Sequence, residues 1–161
     1  ENDTTQANLR NMIYWKDVPY GNGGSVVAIA RDKSGKEVAR HRIETAGKAV
    51  ALRIEAETPT DWKADGMDLQ YINVTVIDKK GRPVWDYNEP LTLQMEGAAR
   101  LVALDNGDHY TDELFHGITS KRMYQGRMQI ILRSDQEAGN VTVKISSAGL
   151  KGTLRLKTIK E

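Results

Sequence analysis

The 161-residue chain carries 23 Lys+Arg against 22 Asp+Glu and no Cys. This near balance of charge gives no electrostatic reason to expect nucleic acid or an anionic membrane as partner, and the lack of thiols excludes a disulfide framework and a thiolate metal site. No apolar run approaches the roughly 20 residues that cross a bilayer as a helix, so membrane insertion of that kind is not expected.

The chain opens Glu1-Asn2-Asp3-Thr4, with neither an initiator Met nor an apolar signal segment, and reads as an interior or mature piece of a longer protein. Period-2 alternation predicts strands at 11–15, 25–31, 37–43, 50–55, 69–78, 91–96, 101–104, 128–133, 140–146 and 152–158. Inward-facing sets follow from it: Ile72, Val74 and Val76; Met128, Ile130 and Leu132; Val141, Val143 and Ile145; Leu154 and Leu156. No useful length shows helical periodicity. Short strands divided by Gly, Asn and Asp turns predict an all-β fold, an antiparallel immunoglobulin-like β-sandwich.

Two stretches repeat one another. Asp32-Lys33-Ser34-Gly35 and Asp78-Lys79-Lys80-Gly81 each follow an apolar strand and precede a Val, offset by 46 residues, which suggests two sandwich pieces in tandem. The small residues and Gly of 44–49 make the junction between them. The expected domains are a partial sandwich unit over 1–48 and a complete sandwich over 49–161.

The stretch 105–125 breaks the regular spacing. It is long and polar and carries the single Phe. Such a connection is expected to pack through its own apolar residues, Leu114, Phe115, Ile118 and Tyr124, with a short helical turn over 111–115 capped by Thr111.

Asp105, Asn106, Gly107, Asp108, Glu113, Leu114 and Phe115, read with Ala64 to Leu69, the Val76 to Gly81 turn, Gly97 and Tyr124 to Arg127, resemble the C-terminal immunoglobulin-like domain of bacterial glycoside hydrolase family 2 enzymes, chiefly β-galactosidases of the Bacteroides kind. Upstream, Trp15 to Tyr20, Gly24, Val26 to Ala30, Gly35 to Ala39 and Thr45 to Lys48 look like the latter half of the sandwich domain that precedes it there. The resemblance covers 12–159, with 64–127 its specific part. It implies catalysis by two glutamates in a (β/α)8 barrel, which this chain does not encode. No catalytic residue is therefore carried over, and no cofactor is expected. The implied partners are the catalytic domains of a parent glycosidase, and the implied location is periplasmic, secreted or cell-surface.

Within this chain, Trp62, Trp85 and Tyr87 are candidates for a sugar-stacking platform; the alternative is that they close the end of the core. Asp105, Asp108 and Asp112, with Asn106 and His109, are candidates for a cation site, against a reading as a turn in which Asx side chains cap backbone amides. His109 and His116 lack the further nitrogen or sulfur ligand that zinc needs. His41 lies in a strand between arginines. Gly21 to Gly24 reads as a hairpin loop, because no Lys-Ser or Lys-Thr and no helix follow it. The triplets at Asn2, Asn73 and Asn140 carry meaning as glycan acceptors only in a eukaryotic secreted protein. The function expected is a non-catalytic accessory sandwich of a family 2 β-galactosidase; a carbohydrate-binding module and an adhesin-type surface repeat are the alternatives.

Overall fold

The computed structural model describes residues 23–160, so the strand expected at 11–15 lies outside the described residues. The chain divides into two compact units, Glu1–Thr45 and Ala46–Glu161. In the first, β1 (Ser25–Arg31) and β2 (Glu37–Glu44) form an antiparallel hairpin with Val26 opposite Ile43. Asp32 makes its turn. Its Oδ1 accepts hydrogen bonds from the Ser34 N–H at 2.8 Å, the Ser34 hydroxyl at 2.6 Å and the Lys36 N–H at 3.0 Å.

The second unit holds eight strands: β3 (Ala49–Ala56), β4 (Leu69–Asp78), β5 (Pro90–Gly97), β6 (Ala99–Asp105), β7 (Ser120–Arg122), β8 (Arg127–Ser134), β9 (Asn140–Ser147) and β10 (Leu150–Lys157). They form two antiparallel four-stranded sheets, ordered β3-β4-β8-β6 and β10-β9-β5-β7. This is the immunoglobulin constant-type arrangement, in which four strands face three. Here the short β7 is added at the edge beside β5. No helix occurs among the described residues.

Alternation along each strand builds the core. In β4 every second residue, Ile72, Val74 and Val76 among them, is buried, and Met128, Ile130, Leu132, Val141, Val143 and Ile145 meet them as expected. Each such side chain removed from water contributes roughly 1.5–3 kcal/mol. Leu156 joins them, with Leu154 packed at the margin.

The Asp78 turn matches the Asp32 turn in chemistry and adds a long-range tie. Asp78 Oδ1 accepts from the Lys80 and Arg82 N–H groups at 2.8 and 3.0 Å, while Oδ2 accepts from the Gly47 N–H and Arg82 Nε, both at 2.8 Å. The Arg82 guanidinium foremost, and then the Gly47 amide, hold this carboxyl well below its ordinary 3.8 against the opposing effect of burial. The turn therefore fastens the start of β3 to the end of β4.

Two glycines set the strand crossings. Between β5 and β6 only Ala98 intervenes, and Gly97 there has a φ of 110°; a Cβ on it would run into the Asn140 carbonyl oxygen. At Tyr124 to Arg127 the central residues Gln125 and Gly126 have φ of 49° and 66°, the primed turn that suits hairpin twist. Gly126 is buried there, its N–H donating to the Tyr87 carbonyl at 2.7 Å and its own carbonyl accepting from the Val76 N–H at 2.8 Å.

The connection from β6 to β8 differs from expectation. It leaves one sheet, contributes β7 to the edge of the other and returns, and β7 has no apolar alternation to announce it. No helical turn forms over 111–115; the Thr111 hydroxyl accepts the Glu113 N–H at 3.2 Å in a local turn. Leu114 is 69% exposed, so it does not anchor the loop. The anchors are Ile118, Met123 and Lys121, whose inward-facing side chain is fully buried.

Candidate functional site

The outer face of the β3-β4-β8-β6 sheet carries an ordered set of polar side chains. Register places Glu55 opposite Asn73, Asn73 opposite Gln129, and Gln129 opposite Asp105, one row across four strands. In the adjacent row Arg53 lies opposite Thr75 and Thr75 opposite Arg127. Outward positions on a strand repeat every second residue, so Asn73 and Thr75, like Arg127 and Gln129, emerge together.

Hydrogen bonds fix part of this row. Gln129 Nε2 donates to Asn73 Oδ1 at 3.2 Å, and Asn73 Nδ2 donates to Glu57 Oε1 at 3.1 Å. Beside the row lies an open depression of about 350 Å³, lined by Asn73, Thr75, Arg127, Gln129, Asp105 and Gly107 among others. Its wall on one side is the turn that ends β6, where Asp105 Oδ1 accepts the Gly107 N–H at 2.8 Å. Asn106 points inward instead and donates to the Arg122 carbonyl at 2.9 Å. The Arg127 guanidinium, which also lines the depression, lies over the Trp85 ring, 4.3 Å from its centroid, a cation–π contact that restrains this side chain.

The three expected aromatics occupy three environments. Trp62 has no exposed surface: it caps the end of the core and donates from Nε1 to the Asp68 carbonyl at 3.1 Å. It has no free face for a sugar ring, so the platform reading is corrected at this position. Its segment is stitched to the end of the chain through Ile159 N–H donating to the Trp62 carbonyl and Ala64 N–H to the Ile159 carbonyl. Tyr87 is half-buried, with its hydroxyl 2.8 Å from Ser147 Oγ. Trp85 alone of the three is open, 49% exposed, and touches Arg127, a residue that lines the depression.

The acidic stretch is organised by its own backbone. Asp108 Oδ1 accepts the Tyr110 N–H at 3.0 Å and Asn106 Oδ1 the Asp108 N–H at 3.1 Å, successive Asx turns. Among the described residues no three His, Asp or Glu side chains gather as a metal site would require, so Asp105, Asp108 and Asp112 are not brought together as cation ligands. His116 Nδ1 lies 3.2 Å from the Val102 carbonyl, a local contact.

Sequence reading did not single out Asn73, Thr75, Arg127 or Gln129 as site residues. The available signal was polar occupancy of the outward positions in two predicted strands, but which strands are neighbours depends on long-range pairing. Asn73 and Gln129 are 56 residues apart.

Residues 52–154 match the family model of the glycoside hydrolase family 2 C-terminal domain 5. The β-galactosidase BoGH2A of Bacteroides ovatus is 32% identical over 128 residues, 80% of this chain and 15% of that protein. A β-galactosidase of Thermoanaerobacter pseudethanolicus is 30% identical over 132 residues, 80% of this chain and 17% of that protein. The crystal structure of a glycosyl hydrolase family 2 member from Bacteroides cellulosilyticus superposes with a TM-score of 0.80 at 28% identity, over 89% of this chain and 18% of that one. The chain thus spans 15–17% of the length of these two curated relatives.

Proposed function

The chain belongs to glycoside hydrolase family 2, as a C-terminal domain of that family, and on that premise we propose that it is a non-catalytic accessory sandwich of a larger bacterial β-galactosidase. The observation that carries this is the extent of the likeness: most of this chain corresponds to a small fraction of two β-galactosidases. The depression supports it chemically. Among the described residues lining it there is one carboxylate, Asp105, whereas hydrolysis with retention uses two about 5–5.5 Å apart.

Its work in the parent is to pack against the catalytic parts and stabilise them. A sandwich suits that role because its shape is set by long-range ties, such as Asp78 to Gly47 and Trp62 to Ile159, and it presents a rigid surface. The parent is exported to the periplasm, the cell surface or the medium, which fractionation of cells and medium with an antibody to this chain tests.

The functional test compares the parent enzyme with and without this region. Deletion lowers the thermal midpoint of the whole enzyme and leaves KM for a small chromogenic β-galactoside unchanged, while the separate 161-residue chain hydrolyses none of it. Turnover that persisted through rigorous purification, or an unaltered thermal midpoint on deletion, would overturn the reading.

A further inference from the structure

We propose that the depression on the outer face of the β3-β4-β8-β6 sheet, beside Trp85, binds a neutral pyranose unit of a glycan. A sugar ring offers several hydroxyls, each both donor and acceptor, and a site for it needs both functions on fixed groups. Asp105 and the Gln129 carbonyl accept, Arg127 donates, and the Thr75 hydroxyl does either. Among the described residues, Thr75 Oγ1, Gln129 Oε1 and the Arg127 guanidinium form no hydrogen bond with a protein group, which leaves that capacity for a ligand.

Charge selects the ligand class. The lining holds one guanidinium and one carboxylate, so an anion would gain Arg127 and meet Asp105, whereas a neutral polyol hydrogen-bonds to both. The volume of about 350 Å³ lies at the small end for a ligand pocket, consistent with one or two rings and not a long chain.

The groups are also held in place before a ligand arrives. Asn73 is tied to Glu57 and Gln129, and Arg127 lies against Trp85, so ordering side chains costs little on binding. The Trp85 indole stands outside the lining and contributes by holding Arg127 against its ring. The inference goes beyond the packing role, and it rests on the family reading only for expecting glycans near this surface.

The test titrates the 161-residue chain with methyl β-D-galactopyranoside, a neutral galacto-oligosaccharide and sodium glucuronate, following backbone amide shifts by NMR. Expected is saturable binding of the neutral sugars, with Kd on the order of 1 mM as suits an open site, and with shifts centred on Asn73, Gly107 and Gln129. Gln129→Ala and Arg127→Ala each weaken it at least tenfold, and Lys144→Ala on the opposite sheet does not. Amide spectra of the variants report whether each remains folded, and Gln129→Ala decides the matter if Arg127→Ala does not. No saturable shift, shifts elsewhere, affinity untouched by a folded Gln129→Ala, or binding of glucuronate alone overturns the proposal. None of these outcomes bears on the deletion test of the packing role, so the two readings fail separately.

Discussion

Lys121 Nζ lies 4.2 Å from the centroid of the Phe115 ring. The same ammonium donates to the Glu113 and Leu114 carbonyls at 3.2 Å each and stands 3.8 Å from Glu113 Oε2. A cation buried on the inner side of an edge strand is thus satisfied by the loop folded over it, and Lys121 joins Ile118 and Met123 in fixing the polar connection between β6 and β8.

Lys121→Ala is therefore expected to remove both the filled volume and the partner of two carbonyls, at a cost of about 2–4 kcal/mol. Lys121→Met keeps most of the stem and is expected to lose less, roughly 1–2 kcal/mol. Urea midpoints of the two variants measure the difference. Wild-type stability in Lys121→Ala would show that the loop is held elsewhere.

Asp78 sets an acid limit. Its folded pKa is depressed, chiefly by Arg82 and then by the Gly47 N–H; Asp65 is lowered chiefly by the Met67 and Asp68 N–H groups, and Asp32 by the Ser34 hydroxyl. A depressed carboxyl contributes stability that is fully present above its unfolded value and is lost as pH falls toward the folded one. From these groups, urea midpoints should change little between about pH 5 and 7 and fall steeply below about pH 4. Asp78→Asn is expected to flatten that acid limb more than Asp32→Asn, because only Asp78 also holds a neighbouring strand through Gly47. Equal pH profiles for the two variants would contradict this.

What could be read from the sequence divides along the same physical line. Strand β4 was legible because its alternation is a local property, and both Asp turns were legible because an Asx side chain bonds to backbone within four residues. The edge strand β7 was not, since its inward position is a lysine whose burial depends on carbonyls seven and eight residues away. Leu114 misled for the matching reason: an apolar residue in a loop predicts packing only when nothing else anchors the loop. The depression was illegible because Asn73 and Gln129 meet only through strand pairing, and the role of Trp62 because a tryptophan beside a turn serves equally as plug or platform.

The two crossings that depend on glycine give a steric prediction. A Cβ at Gly97 would meet the Asn140 oxygen, and one at Gly126 the Val84 oxygen, both backbone atoms and both at positive φ. Backbone cannot yield as a flexible side chain does, so Gly97→Ala and Gly126→Ala should each destabilise by at least about 2 kcal/mol. Gly81→Ala, at positive φ with no atom within 4 Å of its Cβ, bears only the conformational cost, about 1 kcal/mol. Thermal midpoints in that order support the assignment, and a Gly97→Ala variant as stable as Gly81→Ala would overturn it.

The chain holds three Trp; with Trp15 replaced by Phe in every variant compared, fluorescence separates Trp62 from Trp85, which differ in access to solvent. Trp62 is fully buried while Trp85 is 49% exposed beneath the Arg127 guanidinium, so acrylamide should reach Trp85 and leave a protected, blue-shifted component from Trp62. Trp62→Phe should abolish that component and lower stability by roughly 1–3 kcal/mol, because the end of the core loses volume and the Asp68 carbonyl loses the indole N–H. Trp85→Phe should remove quenchable emission with a stability change of less than about 0.5 kcal/mol, as for an exposed side chain. If acrylamide quenched the Trp62 component as readily as that of Trp85, the end of the sandwich would be open to solvent, and the role of Trp62 as its plug would be wrong.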